Sequence, residues 1–166
     1  MHPDASTTKQ TDPLHLDRID RRILNELMRE GRISVTDLAE RVGLSRTPCQ
    51  ARLARLQASG AIRGFRAVVD PAVLGRDHVT FVEVRLTDTS VAALEEFNAA
   101  VAEAPEIEEC YMIAGGFDYL LKVRCADIRD YREILGKVIS GLPHVASTST
   151  HVSMQAVKEI GGDARP

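Results

Sequence analysis

The spacing of apolar residues changes character near Phe65, and this change constrains the fold more than any other feature of the chain. Before it, apolar residues recur at helical intervals: Ile19, Ile23, Leu24 and Leu27, then Leu38, Ala39 and Val42, then Cys49, Leu53 and Leu56. After it, short runs rich in β-branched residues alternate with two further helical stretches. Such a chain divides into an all-helical part and a mixed part.

Caps and breakers mark the helices. Asp17 is placed to cap the first, which Gly31 ends, and Ser34 with Asp37 three residues on resembles a capping box for the second. Gly43 supplies a sharp turn. The third helix begins around Arg46 to Pro48, with Ser45 or Thr47 accepting orphan amide bonds and Pro48 in the first turn, and Gly60 stops it. Ala61 to Val69, loosely alternating around Gly64, reads as a short extended wing or hairpin strand.

The remainder reads as β-α-β-β-α-β, with strands near Val79 to Leu86, Ile107 to Ala114, Asp118 to Cys125 and Val145 to Val157. Leu94, Phe97 and Val101 mark one intervening helix; Tyr131, Leu135, Val138 and Leu142, behind an Asp127 cap, mark the other. The fold class is therefore α+β: an N-terminal three-helix winged helix-turn-helix followed by a ferredoxin-like βαββαβ plait. The expected division is a disordered arm (1–15), a winged helix-turn-helix (16–66), a linker (67–77), the plait (78–160) and a tail (161–166). Several strands are apolar on both faces, as where Leu120 precedes Leu121 and Val123, so helices on one face leave the other for a second subunit.

Charge is as unevenly divided as periodicity. Residues 17–66 carry 11 Arg against 6 Asp or Glu, a net of +5, whereas residues 67–166 carry 9 Lys or Arg against 16 Asp or Glu, a net of −7. Between Glu40 and Asp70 there is no carboxylate, while Arg41, Arg46, Arg52, Arg55, Arg63 and Arg66 all occur. Arginine's planar fork suits phosphate and the guanine edge, small residues such as Ala51 and Ala54 admit a helix to the groove, and Gln50 suits adenine. The candidate DNA-contacting residues are Ser45, Arg46, Thr47, Gln50, Arg52 and Arg55, and the expected polyanion is double-stranded DNA. The missing aromatic ladder argues against single-stranded RNA.

Other chemistry finds little support. No serine sits with a nearby base, the five histidines show no H-x-x-x-H spacing, and Gly115-Gly116 precedes no helix that would cradle phosphate. Catalytic residues, metal ligands and a cofactor are accordingly not expected. Cys49, Cys110 and Cys125 are odd in number and form no C-x-x-C pair, as in a reduced protein, and no apolar run reaches membrane length, so a soluble cytoplasmic chain is expected. Two rival classes are a plait enzyme, whose paired sheets enclose a cavity, and an architectural protein that bends DNA without sensing anything.

A resemblance sharpens this. Leu16-Asp17-Arg18-Ile19-Asp20, Gly31-Arg32-Ile33-Ser34, Arg41-Val42-Gly43-Leu44-Ser45 and Thr47-Pro48-Cys49 resemble the Lrp/AsnC family of feast/famine regulators. So do Phe81-Val82-Glu83-Val84, Glu109-Cys110, Gly116 through Lys122, Tyr131-Arg132, Leu142-Pro143 and Val157-Lys158. The resemblance implies a regulator of amino-acid metabolism, a homodimer assembling to a tetramer, octamer or higher, with an amino acid bound between dimers. Arg46 stands where leucine-responsive members commonly have Pro, and Gly116 where many have Asp. The turn Ala114 to Tyr119 and the segment Ser149 to Val152 resemble the family's effector site, which implies Met112, Gly115, Gly116, Asp118, Thr150 and His151 as effector residues. Asp118 would meet the ammonium, N–H groups around Gly115 and Gly116 the carboxylate, and Met112 the side chain. The alternative for Asp118 is to fix the hairpin turn. Proline, a branched-chain amino acid and other amino acids remain open as effectors.

Overall fold

The computed structural model describes residues 15–159 of the 166-residue chain. The expected tail and all of the expected arm but His15 lie outside the described residues. The chain forms two compact units that divide between Ala67 and Val68.

In the first unit, Asp17 and Asp20 close a reciprocal capping box on α1 (Arg18–Arg29): the Asp17 carboxylate accepts from the Asp20 N–H at 2.8 Å, and the Asp20 carboxylate from the Asp17 N–H at 3.1 Å. The Ser34 hydroxyl accepts from the Asp37 N–H at the start of α2 (Val35–Val42). Gly43 ends α2 at φ 75°, a left-handed conformation that lets the next helix leave at a steep angle. α3 (Arg46–Ala58) then begins behind Ser45, and neither of the two candidate caps, Ser45 and Thr47, makes a side-chain cap bond among the described residues. Ile23, Leu38, Ala39, Val42, Cys49 and Leu56 are buried together, one stripe from each helix. The expected wing strand does not form: among the described residues no strand precedes His78, so the segment after α3 has no strand of its own chain to pair with.

The second unit opens with an unexpected 3-10 helix, Pro71–Leu74, inside the stretch read as a linker; the Asp70 carboxylate accepts from the Ala72 N–H at its start. There follow β1 (His78–Leu86), α4 (Val91–Ala102), β2 (Ile107–Met112), β3 (Tyr119–Cys125), α5 (Ile128–Lys137), a 3-10 turn at Ile139–Gly141 and β4 (Val145–Val152). The strands are ordered β2-β3-β1-β4 and every pair is antiparallel. This is the ferredoxin-like plait. Strand alternation sends Val82 and Val84 of β1 and Tyr119, Leu121, Val123 and Cys125 of β3 into one core with Phe97 and Val101 of α4 and Tyr131 and Ile134 of α5. Phe97 and Tyr119 stack at 4.5 Å between ring centres.

Two boundaries differ from expectation. α5 stops at Lys137, so Val138 and Leu142 pack from outside the helix. β4 stops at Val152 rather than Val157, because its partner β1 begins at His78 and, beyond the Thr80–Val152 pair, only the Ser153 N–H still finds a β1 carbonyl, that of Val79. The sheet's second face is also less apolar than expected. Phe81 and Tyr111 are exposed there, but Lys122 pairs with Glu108, Glu109 and Glu159, and Arg124 pairs with Glu108 and Glu159. Among the described residues no helix is long and apolar enough to cross a membrane.

Candidate functional site

α3 turns Cys49, Leu53 and Leu56 inward, leaving Ser45, Arg46, Thr47, Gln50, Ala51 and Ala54 exposed on its outer side. The Ser45 hydroxyl, freed from capping, and the Arg46 guanidinium make no hydrogen bond among the described residues. Thr47 and Gln50 are likewise open. This strip combines donors, small residues and the absence of any carboxylate on its own helix, which is what a major-groove helix requires.

Arg52 and Arg55, at the edge of that strip, both carry ion pairs to α1. Arg52 turns back towards α1, where its Nη1 binds Asp17 at 2.5 Å and Asp20 at 2.8 Å. Arg52, a candidate DNA contact, is therefore already engaged within the unit, and a charge shared between two carboxylates gains less from a phosphate. Arg55 also binds Asp20, through Nη2 at 2.5 Å, but keeps an exposed edge. Asp20 itself is fully buried. Burial alone would push its carboxyl up, but hydrogen bonds from Arg55, the Asp17 N–H and Arg52 hold it down at about 2. The signal for Asp20 lay in the sequence: it falls within the apolar stripe of the first helix, between Ile19 and Ile23, where an unpaired carboxylate would be costly.

In the second unit, Met112, Gly115, Gly116 and Asp118 gather at the hairpin joining β2 to β3. Asp118 serves the hairpin directly, its Oδ2 accepting from the Leu86 N–H at 2.7 Å and its own N–H reaching the Val84 carbonyl. That fixes the turn, and it leaves Oδ1 without a hydrogen bond among the described residues. Among the described residues the N–H groups of Gly115 and Gly116 likewise make no hydrogen bond, and both residues are exposed. Beside Met112 a groove of about 360 Å³ is lined by Asn98, Val101, Ala102, Cys110 and Tyr119. Burial pushes the Cys110 thiol up to about 11, so it lines the groove as a neutral apolar group rather than a nucleophile.

Thr150 and His151 stand apart from this hairpin. β4 is the opposite edge of the sheet from β2, with β3 and β1 between, a separation of about 14 Å at normal strand spacing. They also face opposite ways. Thr150 hydrogen-bonds the Tyr131 hydroxyl beneath α5, while His151 lies across the sheet beside Glu83, Nε2 to Oε1 3.2 Å. One chain therefore does not bring the six expected effector residues into one pocket. Arg85 was missed by the sequence reading: its guanidinium lies close to Gly116, near enough to touch a Cβ built there. Its position on the strand next to the hairpin becomes visible only once β1 is paired with β3.

Comparison with known proteins adds a second line. Residues 16–63 match the winged helix-turn-helix DNA-binding family, and residues 79–162 match the Lrp/AsnC ligand binding domain. The chain is 60% identical over 144 residues to the proline dehydrogenase transcriptional activator of Rhodobacter capsulatus, covering 87% of this chain and 94% of that protein. It is 47% identical over 144 residues to the leucine-responsive regulatory protein of Escherichia coli K12, covering 87% and 88%. Among solved structures it resembles an AsnC family transcriptional regulator from Agrobacterium tumefaciens, with a TM-score of 0.82, 35% identity and coverage of 87% and 94%. It also resembles the regulator NMB0573 of Neisseria meningitidis in complex with L-Met, with a TM-score of 0.81, 28% identity and coverage of 92% and 97%.

Proposed function

This chain belongs to the Lrp/AsnC family of DNA-binding transcriptional regulators, and from that premise we propose which residues bind DNA and which bind the effector. It is a regulator with an N-terminal DNA-binding unit and a C-terminal ligand-binding domain, and the family is not one of enzymes. That removes the plait-enzyme alternative.

The outer strip of α3 reads the operator. Arg46, Thr47 and Gln50 approach base edges and Ser45 a phosphate, while Arg55 grips phosphate at the edge of the helix. The observation that carries this assignment is the exposed, carboxylate-free face of α3, set at a left-handed glycine turn from α2.

The effector is an amino acid, seated at the β2–β3 hairpin. Asp118 Oδ1 takes the ammonium, the free N–H groups of Gly115 and Gly116 take the carboxylate, and Met112 with its groove takes the side chain. Thr150 and His151 join the site from a second copy, since within one chain they lie across the sheet. The 60% identical relatives are named for proline dehydrogenase, so proline is the effector to test first, against leucine and methionine. The protein works in the cytoplasm as a homodimer, or as an assembly of dimers, whose half-sites lie about one helical turn apart or multiples of it. The test is calorimetric titration of the full-length protein with each amino acid, with sedimentation alongside and DNA affinity measured with and without the ligand that binds. Binding of one amino acid that alters DNA affinity or assembly is expected. Absence of binding by the whole set would leave the architectural reading.

A further inference from the structure

A charged cluster built on the buried Asp20 joins α1 to α3, and its two arginines are not equivalent. Arg52 divides one nitrogen between Asp17 and Asp20 and is 29% exposed. Among the described residues Arg55 makes a single bond, from Nη2 to Asp20, and its side chain is 44% exposed at the edge of the strip formed by Thr47, Ala51 and Ala54. A guanidinium is a rigid plane with five donors, so holding one of them orients the others. A buried carboxylate is also a poor way merely to join two helices, because a well-packed apolar residue does so without desolvating charge.

Resting on the assignment of α3 as the DNA-facing helix, we propose that Asp20 is a positioning residue for DNA binding: from inside the core it holds Arg55 as a preset phosphate ligand. Arg52 braces the same carboxylate from the other oxygen and keeps it from turning. Phosphate then meets a guanidinium whose orientation is already chosen, rather than one that must be frozen on contact.

The sign of one measurement tests this. Asp20→Asn removes a negative charge from the DNA-binding unit. If Asp20 only joined helices or masked the arginines, the variant would bind non-specific duplex as tightly as wild type or more tightly, with an equal or steeper salt dependence. Positioning makes the opposite expectation: binding about five- to tenfold weaker, with the salt slope reduced by about one phosphate contact. The measurement is fluorescence anisotropy of full-length protein on duplex DNA across a salt series, below each variant's melting temperature. Arg55→Ala separates the two layers of the claim. If it binds as wild type, the phosphate contact and the inference fail together; if it weakens binding while Asp20→Asn tightens it, only the positioning role is overturned. In the Arg55→Ala background, Asp20→Asn should cause no further weakening. Should Asp20→Asn melt below the assay temperature, Arg55→Lys takes its place. Lysine keeps the charge and one bond to Asp20 but presents no second planar edge, so a comparable loss is expected, and wild-type binding would overturn the proposal.

Discussion

At the scale of single residues, two aspartates each combine a structural role with a functional role proposed for them. Asp20 closes the capping box of α1 and anchors two arginines of α3, and its carboxyl lies at about 2 against an ordinary 3.8. Because the folded value is depressed, the stabilisation it contributes is complete above about pH 4 and is lost as pH falls through about 2. Acid titration followed by far-UV circular dichroism should show the first unit losing stability over that window, and Asp20→Asn should remove much of the effect. An unchanged acid profile in the variant would show that other carboxylates govern it. Asp118 divides its two oxygens, Oδ2 being bound to the Leu86 N–H. Asp118→Asn can retain that bond through its amide oxygen while losing the charge. Its melting temperature should stay near wild type while affinity for the effector falls about ten- to a hundredfold, as expected when a charge-assisted hydrogen bond is lost. Asp118→Ala should lose both.

At the scale of elements, α3 is placed by what precedes it as much as by its own sequence. Gly43 at φ 75° sets its departure from α2, and a Cβ there would meet no atom within 4 Å, so the cost of substitution is conformational rather than steric crowding. Gly43→Ala should lower stability by about 1 to 2 kcal/mol by chemical denaturation, the cost of an L-residue in the left-handed region. Gln50 is exposed on the strip and fits a bidentate contact to adenine. Gln50→Ala should cost about 1 to 3 kcal/mol on the preferred operator and little on random duplex, which a competition gel shift will reveal. Equal losses on both DNAs would reassign Gln50 to the backbone. In the second unit the analogous element is the β2–β3 hairpin, tied to β1 by Asp118 and to its own strand by the Ile113 N–H to Asp118 carbonyl bond.

At the scale of the whole molecule, the sheet presents one face to α4 and α5 and leaves the other with exposed Phe81 and Tyr111 beside the ion pairs of Lys122 and Arg124. A partner sheet laid on that face would bury the aromatic residues, and the effector site proposed above draws on a second copy. Phe81→Glu should therefore shift light scattering at micromolar protein from assembly towards monomer, with the secondary structure retained. An assembly state unchanged by this substitution would place the interface elsewhere.

Much of this architecture was legible in the chain, because periodicity and capping are local. Helical spacing in the first unit, alternation in the second and the caps at Asp17, Ser34 and Asp127 place nearly every element within a few residues. What only the tertiary structure decided depends on contacts between residues distant in sequence. Asp20 and Arg52 are thirty-two positions apart, so nothing local to α3 shows that Arg52 is bound to a buried carboxylate. The wing failed to become a strand because a strand needs a partner, and β4 stopped where β1 ran out. Likewise, proximity in a motif list does not make a pocket: strand order carried Thr150 and His151 to the far edge from Met112, and side-chain alternation turned them to opposite faces.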